Sequence, residues 1–268
     1  MAPKTLAQKA DRHALYQEAV QDPVREVRLL SRVYQDAYGE LPARLREDFC
    51  GTGAVSVAWV DSSLQRSAWA VDLDRDVLDW GMRHNLTTLP RERRNAVHFL
   101  RGDVRAPAPT KVDVIAASNF SFYGFHTRQD LVTYITQARK NLRPKGVLAL
   151  EMMGGPDVQT LGRRETRRLN GFSYIWEQLE FDPINQRCDF RMHFRFKDKS
   201  VLRNAFTYAW RIWTIPDVRE ICAQAGFSKT VVYWAETDHS TGGSNGIYKR
   251  RDTAPPDPAW LAHIVAIR

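Results

Sequence analysis

Cysteine is scarce in this chain. Three cysteines occur among 268 residues, Cys50, Cys188 and Cys222, and they lie far apart in the sequence. This number and spacing exclude a disulfide framework and a cysteine-based metal site, and there is no close cysteine triplet that could hold an iron–sulfur cluster. The sequence therefore predicts no metal site, and it favours the reducing cytoplasm as the location of the protein.

Long apolar runs are also absent. No stretch approaches the roughly 20 apolar residues that cross a membrane, and the first 27 residues carry charges throughout. Neither a membrane anchor nor a signal peptide is predicted. Apolar residues nevertheless form 43% of the chain and aromatic residues 11%, which is enough to build the core of one domain with an embellishment.

Acidic residues are outnumbered by basic ones, and the formal net charge is +8. Basic clusters lie at residues 91–94, 163–168 and 249–251. Such charge can attract nucleic acid. Because the clusters are separated in the sequence and no RNA-binding motif accompanies them, we interpret them as solvated surface.

The stretch 45–53, Leu-Arg-Glu-Asp-Phe-Cys-Gly-Thr-Gly, carries the strongest local pattern. An apolar start, two acids and two glycines precede a helix-like run at 54–60, which predicts a strand, a tight turn and a helix. Glycine allows the backbone to turn sharply and to approach a ligand closely. The backbone amides that open the helix would point at whatever lies on the turn.

Two further acids close predicted strands. Asp72 ends the apolar run 68–71, about 20 residues after the turn, which is the distance at which a carboxylate meets a nucleotide ribose. Asp103 follows the short run 97–102, which ends in glycine. Together with the glycine turn, these acids predict a nucleotide-like ligand.

This order of motifs resembles that of the class I S-adenosylmethionine-dependent methyltransferases of small molecules, over about residues 42–154 and more weakly over 213–234. The resemblance implies that the glycine turn holds the methionine and ribose of S-adenosyl-L-methionine. An acid after the second strand would bind the ribose hydroxyls, and an acid after the third would bind the adenine amino group. By position these parts are Glu47 with Gly51 and Gly53, then Asp72, then Asp103.

One position departs from the family pattern, since Phe49 stands where the family has its first glycine. This leaves Glu47 and Asp48 as alternatives for the first acid. Cys50 is interpreted as a small residue packed beneath the cofactor rather than a nucleophile. The cofactor-binding residues that the resemblance implies are Tyr16, Glu47, Asp48, Phe49, Cys50, Gly51, Gly53, Asp72, Leu73, Gly102, Asp103, Val104, Ser118, Asn119 and Phe120.

Strands and helices alternate from residue 45 to residue 151, which predicts an α/β fold with a parallel sheet covered on both faces. The resemblance implies a Rossmann-like, doubly wound sheet of seven strands, mostly parallel, with the last strand antiparallel. From 172 to 213 the apolar period changes to two, which predicts a small insertion of two or three antiparallel strands. Residues 1–40 are expected to form a helical lid, and residues 41–268 the methyltransferase domain with this insertion.

The loops after the fourth, fifth and sixth strands are expected to shape the site of the methyl acceptor. Methyl transfer requires a base only when the acceptor arrives protonated. Tyr123 and His126 are the candidate catalytic residues, and His239 is a further candidate base. The candidate substrate-binding residues are Tyr123, Glu177, Arg211 and Asn245.

The predicted function is the transfer of a methyl group to an N or O atom, or to an S atom, of a small molecule. One alternative is an RNA or DNA methyltransferase that uses the basic surface. Another is a non-catalytic or NAD-type nucleotide-binding protein, although the NAD-binding fingerprint has Gly or Ala at the position where this chain has Ser56. The expected partner is a small molecule rather than a membrane or a nucleic acid, and a homodimer is allowed.

Overall fold

The computed structural model describes residues 3–237 and 244–268. In this part of the chain the helices are α1 (Leu6–Lys9), α2 (Arg12–Val20), α3 (Pro23–Tyr38), α4 (Ala54–Asp61), α5 (Arg75–His84), α6 (Arg128–Asn141) and α7 (Ile215–Gln224). The strands are β1 (Arg44–Asp48), β2 (Ser67–Asp72), β3 (Val97–Arg101), β4 (Val112–Ala117), β5 (Leu142–Gly154), β6 (Arg164–Arg168), β7 (Phe172–Asp182), β8 (Arg187–Phe196), β9 (Val201–Arg211), β10 (Lys229–Thr237), β11 (Ser244–Arg251) and β12 (Trp260–Ile267).

The larger sheet has the order β11-β10-β12-β5-β4-β1-β2-β3. Strands β1 to β5 pair in parallel, while β12 runs antiparallel to both β5 and β10. Helices α3 and α4 pack on one face and α6 and α7 on the other, each over its own buried apolar cluster. The predicted Rossmann-like α/β fold is confirmed.

This strand order has a direct consequence for ligand binding. The order reverses between β1 and β4, and in open α/β sheets a ligand binds outside the carboxyl ends of the strands at such a point. The loops that follow β1, β2, β3 and β4 therefore meet at one edge of the sheet. This is the edge on which the predicted site residues fall.

Within the described residues, the larger sheet has eight strands, one more than the seven that the resemblance implies. Strand β11 pairs antiparallel with β10 at the edge of the sheet. Most of its side chains are exposed, and it ends in Lys249, Arg250 and Arg251. An edge strand with charged, exposed side chains lacks the apolar alternation by which strands are predicted, so the sequence did not predict it.

Strands β6 to β9 form a separate antiparallel sheet of four strands within residues 164–211, all of which are described. The sequence predicted two or three. The additional strand is β6, with the sequence Arg-Glu-Thr-Arg-Arg and every side chain exposed. Its backbone pairs with β7, but no apolar residue marks it.

The N-terminal helices lie across the same edge. As the sequence indicates, Asp22 caps α3 and Pro23 occupies its first turn. Helix α2 packs through Ala19 and Tyr16 against the second sheet, and Asp11 Oδ2 accepts a 2.6 Å hydrogen bond from Trp80 Nε1 of α5. Among the described residues, none of the helices combines the length and apolar character needed to cross a membrane.

Candidate functional site

The turn after β1 takes up the left-handed backbone region at three positions, Phe49 (φ +57°), Gly51 (φ +54°) and Gly53 (φ +66°). For a residue with a Cβ this conformation costs roughly 1–2 kcal/mol. The Phe49 ring packs edge-on against Phe125 and Tyr134, with centroids 5.8 and 5.7 Å away, and this packing offsets the cost. Phe49 thus adopts a left-handed backbone conformation that is usually left to glycine.

The two glycines differ in their surroundings. A Cβ on Gly53 would lie 2.6 Å from Phe99 Cε1, so the turn packs tightly against β3 there. A Cβ on Gly51 would meet no atom within 4 Å. The backbone of Gly51 therefore borders open space at the sheet edge, where a ligand can approach the turn closely.

Asp72 connects the end of β2 to this turn. One carboxylate oxygen accepts a 2.8 Å hydrogen bond from the Gly51 amide, and the other accepts a 3.0 Å hydrogen bond from the Asp74 amide. The next residue, Leu73, is exposed. The acid and the glycine that the sequence placed in one site are therefore in direct contact.

Glu47 and Asp48 point to opposite faces of β1, as successive strand residues do. Glu47 Oε2 accepts hydrogen bonds from Ser56 N (2.8 Å) and Ser56 Oγ (2.6 Å), at the first turn of α4. Burial raises the pKa of Glu47 to about 7, although the hydrogen bonds from Ser56 lower it. The Glu47 carboxyl therefore lies beneath the glycine turn.

The Asp48 carboxylate is bound within the core. It lies 2.6 Å from Arg46 Nε and accepts a 3.0 Å hydrogen bond from the Tyr134 hydroxyl. The guanidinium of Arg46 also donates to the Val104 carbonyl at 2.9 Å. All four side chains are buried, so Asp48 and Val104 belong to a polar network inside the domain, and Cys50 is a buried free thiol beside it.

Asp103 follows β3 at the same edge. The Gly102 amide donates to the Asp72 carbonyl at 2.9 Å, which holds the two acidic loops side by side. The guanidinium of Arg105 contacts the Asp103 carboxylate at 2.7 Å, and this hydrogen bond holds the pKa of Asp103 below its usual value. Glu47 lies near the end of β1, Asp72 ends β2 and Asp103 follows β3, so the three acids come from adjacent parallel strands near one edge of the sheet.

The loop after β4 joins several elements. Asn119 and Phe120 both have left-handed backbones, with φ of +54° and +58°. Asn119 N donates to Glu151 Oε2 at 2.6 Å, Ser118 Oγ donates to Glu26 Oε1 at 2.7 Å, and the Phe120 ring lies edge-on to Trp210. Two consecutive strained residues at the end of a central strand are typical of a functional loop.

Tyr123 and His126 contact the protein itself in this structure. Tyr123 is fully buried and its hydroxyl donates to the Met153 carbonyl at 2.7 Å. His126 Nε2 lies 2.7 Å from the Ala209 carbonyl of the second sheet. Both side chains connect the loop after β4 to its neighbours, and the candidate base His239 lies outside the described residues.

The remaining substrate candidates are dispersed. The Arg211 guanidinium stacks on Trp213 and donates to the His126 carbonyl. The Glu177 carboxylate lies 3.1 Å from His193 Nε2 in the second sheet. Asn245 is exposed on β11, where its side chain accepts from the Ile247 amide. These three residues do not lie together.

A cavity of about 250 Å³ opens beside the loop after β4, between α3, the end of β5 and β11. The polar residues in its wall include Gln21, Glu26, Ser118, Asn119, Glu151 and Tyr248. Behind the carboxylates lies His263 of β12, which is 1% exposed and 3.6 Å from Glu26.

Three residues in or behind the cavity wall were not predicted from the sequence, namely Glu26, Tyr248 and His263. Glu26 lies in an ordinary amphipathic helix and Tyr248 in an edge strand, so neither has a local motif around it. His263 did carry a signal, because it interrupts the otherwise apolar strand Leu-Ala-His-Ile-Val-Ala. A buried polar side chain in such a strand needs a partner.

No protein-family profile and no curated protein matches this sequence. Solved structures do match nearly the whole chain. The CcbJ methyltransferase from Streptomyces caelestis is 17% identical with a TM-score of 0.65, over 93% of this chain and 98% of that one. An S-adenosylmethionine-dependent methyltransferase from Clostridium acetobutylicum is 14% identical with a TM-score of 0.64, over 94% and 96% of the two chains.

A third similar structure is an amino pentose methyltransferase of calicheamicin biosynthesis from Micromonospora echinaspora, solved with S-adenosylmethionine bound. It is 17% identical with a TM-score of 0.63, over 94% of this chain and 95% of that one. At such identities the similarity is one of fold. This chain shares the fold of these methyltransferases over nearly its whole length.

Proposed function

We propose that this protein is an S-adenosyl-L-methionine-dependent methyltransferase that methylates an N or O atom of a small molecule. The observation that carries the proposal is the contact between the Asp72 carboxylate and the Gly51 amide in a left-handed turn that borders open space. The shared fold of the methyltransferases described above supports it. Transfer to sulfur is a less favoured variant of the same chemistry.

The residues at the edge fit this cofactor. Gly51 and Gly53 would lie against its methionine and ribose, Asp72 would accept from the ribose hydroxyls, and Asp103 would accept from the adenine amino group. Leu73, Gly102 and Val104 would flank the adenine, and the loop 118–120 would lie near the sulfur. When bound, the cofactor supplies a methyl group that the sulfonium charge makes electrophilic and that leaves a neutral thioether behind.

The chain's own contribution would be alignment and exclusion of water. Residues 1–40 would act as the lid, and two contacts support this assignment. Tyr16 of α2 packs on Phe206 of the second sheet with ring centroids 5.0 Å apart. Asp11 binds Trp80 of α5. The lid helix would thus connect the second sheet to the cofactor edge.

The basic clusters do not favour a nucleic-acid substrate. Arg163 lies 3.0 Å from Asp157, and Lys249 and Arg251 lie 2.8 and 2.6 Å from Glu236. Arg94 donates to the Leu89 carbonyl. Partners of this kind interrupt the continuous basic face that an RNA or DNA methyltransferase needs. The cytoplasmic location and the homodimer remain predictions.

Calorimetric titration with S-adenosylhomocysteine tests the proposal. The wild-type protein should bind it, and Asp72→Ala should weaken binding by about 1–3 kcal/mol, the usual cost of a lost hydrogen-bonding partner in a site. Asp61→Ala is the matched control, because Asp61 is exposed at the far end of α4. Equal affinity in both variants, or tighter binding of NAD⁺ than of S-adenosylhomocysteine, would show that the proposal is wrong.

A further inference from the structure

The cavity beside the loop after β4 is rich in hydrogen-bond acceptors. Gln21 Oε1 is buried and has no hydrogen-bond partner in the described part of the chain, and Glu26 and Glu151 add two carboxylates to the wall. The two arginines at its rim are already engaged. Arg25 pairs with Asp22 at 3.2 Å and Arg167 donates to the Ala19 carbonyl.

His263 lies behind the two carboxylates. It is 1% exposed and directly opposite Glu151 in the β5–β12 pairing. Its Nε2 is 3.6 Å from Glu26 Oε1, and neither ring nitrogen has a hydrogen-bond partner among the described residues. The imidazole is thus held by the charges of Glu26 and Glu151, whereas the acceptor Gln21 Oε1 in the cavity wall still lacks a hydrogen-bond donor among the described residues.

The charges favour a cation as that missing partner. Burial lowers the pKa of His263, but the nearby Glu26 carboxylate and the charge of Glu151 raise it by more. Burial raises the pKa of Glu26, and the partnership with His263 then lowers it below its usual value. Arg25 is already paired with Asp22, so the Glu26 and Glu151 carboxylates face the cavity with His263 behind them and Arg167 at the rim.

Glu151 is fixed in the cavity wall by donors from two neighbouring elements. The Asn119 amide donates to its Oε2 at 2.6 Å, and the Tyr248 hydroxyl lies 3.5 Å from its Oε1. Burial raises the pKa of Glu151, and the charge of His263 lowers it by less. A carboxylate whose proton affinity is raised is a better general base.

We propose that the methyl acceptor is an amine, that it docks in this cavity as an ammonium ion between Glu26 and Glu151, and that Glu151 takes its proton. The N–H bond breaks, an O–H bond forms on Glu151, and the electron pair stays on nitrogen as the nucleophile. The proton later returns to solvent. This inference rests on the proposed methyltransferase function and names its substrate class.

The pH dependence follows from all groups that face the cavity. These are Asp22 at the N-cap of α3, Arg25 and Glu26 on α3, Glu151 on β5, Arg167 on β6 and Tyr248 on β11. Glu47 on β1 and His263 on β12 lie behind the wall and interact with the charge of Glu26. Because the pKa of Glu151 lies above its ordinary value of 4.5, ammonium binding should already weaken as the pH falls towards that raised value. A neutral ligand should show no such loss.

Binding of simple amines without cofactor tests the site directly. The panel is cyclohexylamine, N-methylcyclohexylamine and benzylamine, each paired with cyclohexanol, cyclohexyl methyl ether or benzyl alcohol and titrated by ligand-observed NMR at pH 8. At least one amine should bind the wild-type protein tenfold more tightly than its neutral pair. Glu26→Gln and Glu151→Gln should abolish this preference, and Glu220→Gln, an exposed residue of α7, should keep it.

No preference for any amine over its neutral pair in the wild-type protein overturns the proposal, whatever the variants do. Turnover with the tightest-binding amine then separates the two acids. Saturating amine should restore the rate of Glu26→Gln but not that of Glu151→Gln, and an equal rescue of both would remove the proton-acceptor role. An amine that binds tightly but accepts no methyl group would show that the cavity is not the acceptor site.

Titration of S-adenosylhomocysteine into the same samples distinguishes a failure of the amine inference from a failure of the proposed methyltransferase function. Binding of S-adenosylhomocysteine without any amine preference removes this inference alone. No binding of S-adenosylhomocysteine removes the methyltransferase proposal itself.

Discussion

The two halves of the sheet edge both carry carboxylates, but they differ in whether all of their polar groups have hydrogen-bond partners. In the half formed by β1, β2 and β3, which we call the cofactor half, each acid already has donors from the chain. Glu47 binds Ser56, Asp72 binds Gly51, and Asp103 binds Arg105. In the cavity half, formed by α3, the end of β5, β11 and β12, Glu26 and Glu151 also have donors, but Gln21 Oε1 and both ring nitrogens of His263 have no hydrogen-bond partner among the described residues.

This difference indicates that the two halves have different roles in ligand binding. A half whose polar groups are satisfied by its own backbone is preorganised and holds its shape without a ligand. A half with unsatisfied buried groups is less stable by itself and gains most when a ligand of the complementary charge enters. The first arrangement suits a cofactor common to many enzymes, and the second suits selection of one class of acceptor.

Glu47 gives the largest expected effect, because it is the one acid of the cofactor half that burial perturbs strongly. Its pKa of about 7 in the folded protein lies above the ordinary 4.5. Between these values the folded state binds more protons than the unfolded state, so the stability from this group is complete below 4.5 and is lost as the pH rises through 7. That difference corresponds to roughly 2–4 kcal/mol.

Glu47→Gln does not titrate and keeps an oxygen that can accept from Ser56. We expect it to stabilise the ligand-free protein by roughly 2–4 kcal/mol at pH 8.5 and by much less at pH 5.5, measured by urea denaturation at both values. Glu180→Gln, an exposed residue of β7, should change neither. The same gain in stability at both pH values would mean that ionisation of the buried Glu47 does not destabilise the folded protein.

Gly81→Ala comes next and tests the close packing of the cofactor half. A Cβ on Gly81 of α5 would collide with the Thr52 carbonyl in the glycine turn. Overpacking of this kind costs about 1–3 kcal/mol, and the displaced turn should also bind S-adenosylhomocysteine less tightly. Denaturation and calorimetry measure both effects.

Gly124→Ala provides the control for that clash, since a Cβ on Gly124 would meet no atom within 4 Å. This variant should be almost as stable as the wild-type protein. If Gly81→Ala is as stable as Gly124→Ala and binds S-adenosylhomocysteine as tightly, the cofactor half is not rigidly packed.

Trp80→Phe should have the smallest effect and tests the contact of the proposed lid with α5. The change removes the hydrogen bond to Asp11 and keeps most of the ring area, at a cost of about 0.5–1.5 kcal/mol. We expect faster dissociation of S-adenosylhomocysteine in stopped-flow measurements. Asp11→Asn, which retains an acceptor oxygen, should dissociate more slowly than Trp80→Phe, and the reverse order would argue against this contact as the anchor.

The two halves of the sheet edge also differ in how well their residues could be predicted from the sequence. The cofactor half was predictable because each acid lies at or near the end of its own strand, so that chain order alone brings Glu47, Asp72 and Asp103 together once the strands pair in parallel. Phe49 shows the limit of that method. Its identity suggested a disrupted turn, yet packing on Phe125 and Tyr134 allows it the left-handed backbone of a glycine.

The cavity half depends on contacts between residues far apart in the chain. His263 reaches Glu151 only through the antiparallel pairing of β12 with β5, and Glu26 reaches Ser118 only because α3 packs over the edge. Strands β6 and β11 were missed because their side chains are mostly exposed, so that backbone pairing alone defines them. Local patterns carry no information about either kind of contact.

The central claim is that the glycine turn and the acids after β2 and β3 bind S-adenosylmethionine. Hydrogen–deuterium exchange with and without saturating S-adenosylhomocysteine tests it most directly. We predict slower exchange in residues 49–54, 72–74, 102–105 and 118–120, with little change in the exposed strand β6. Protection confined to the opposite edge of the sheet, around Tyr34, Asp113 and Lys145, or no protection at the glycine turn, would contradict the account.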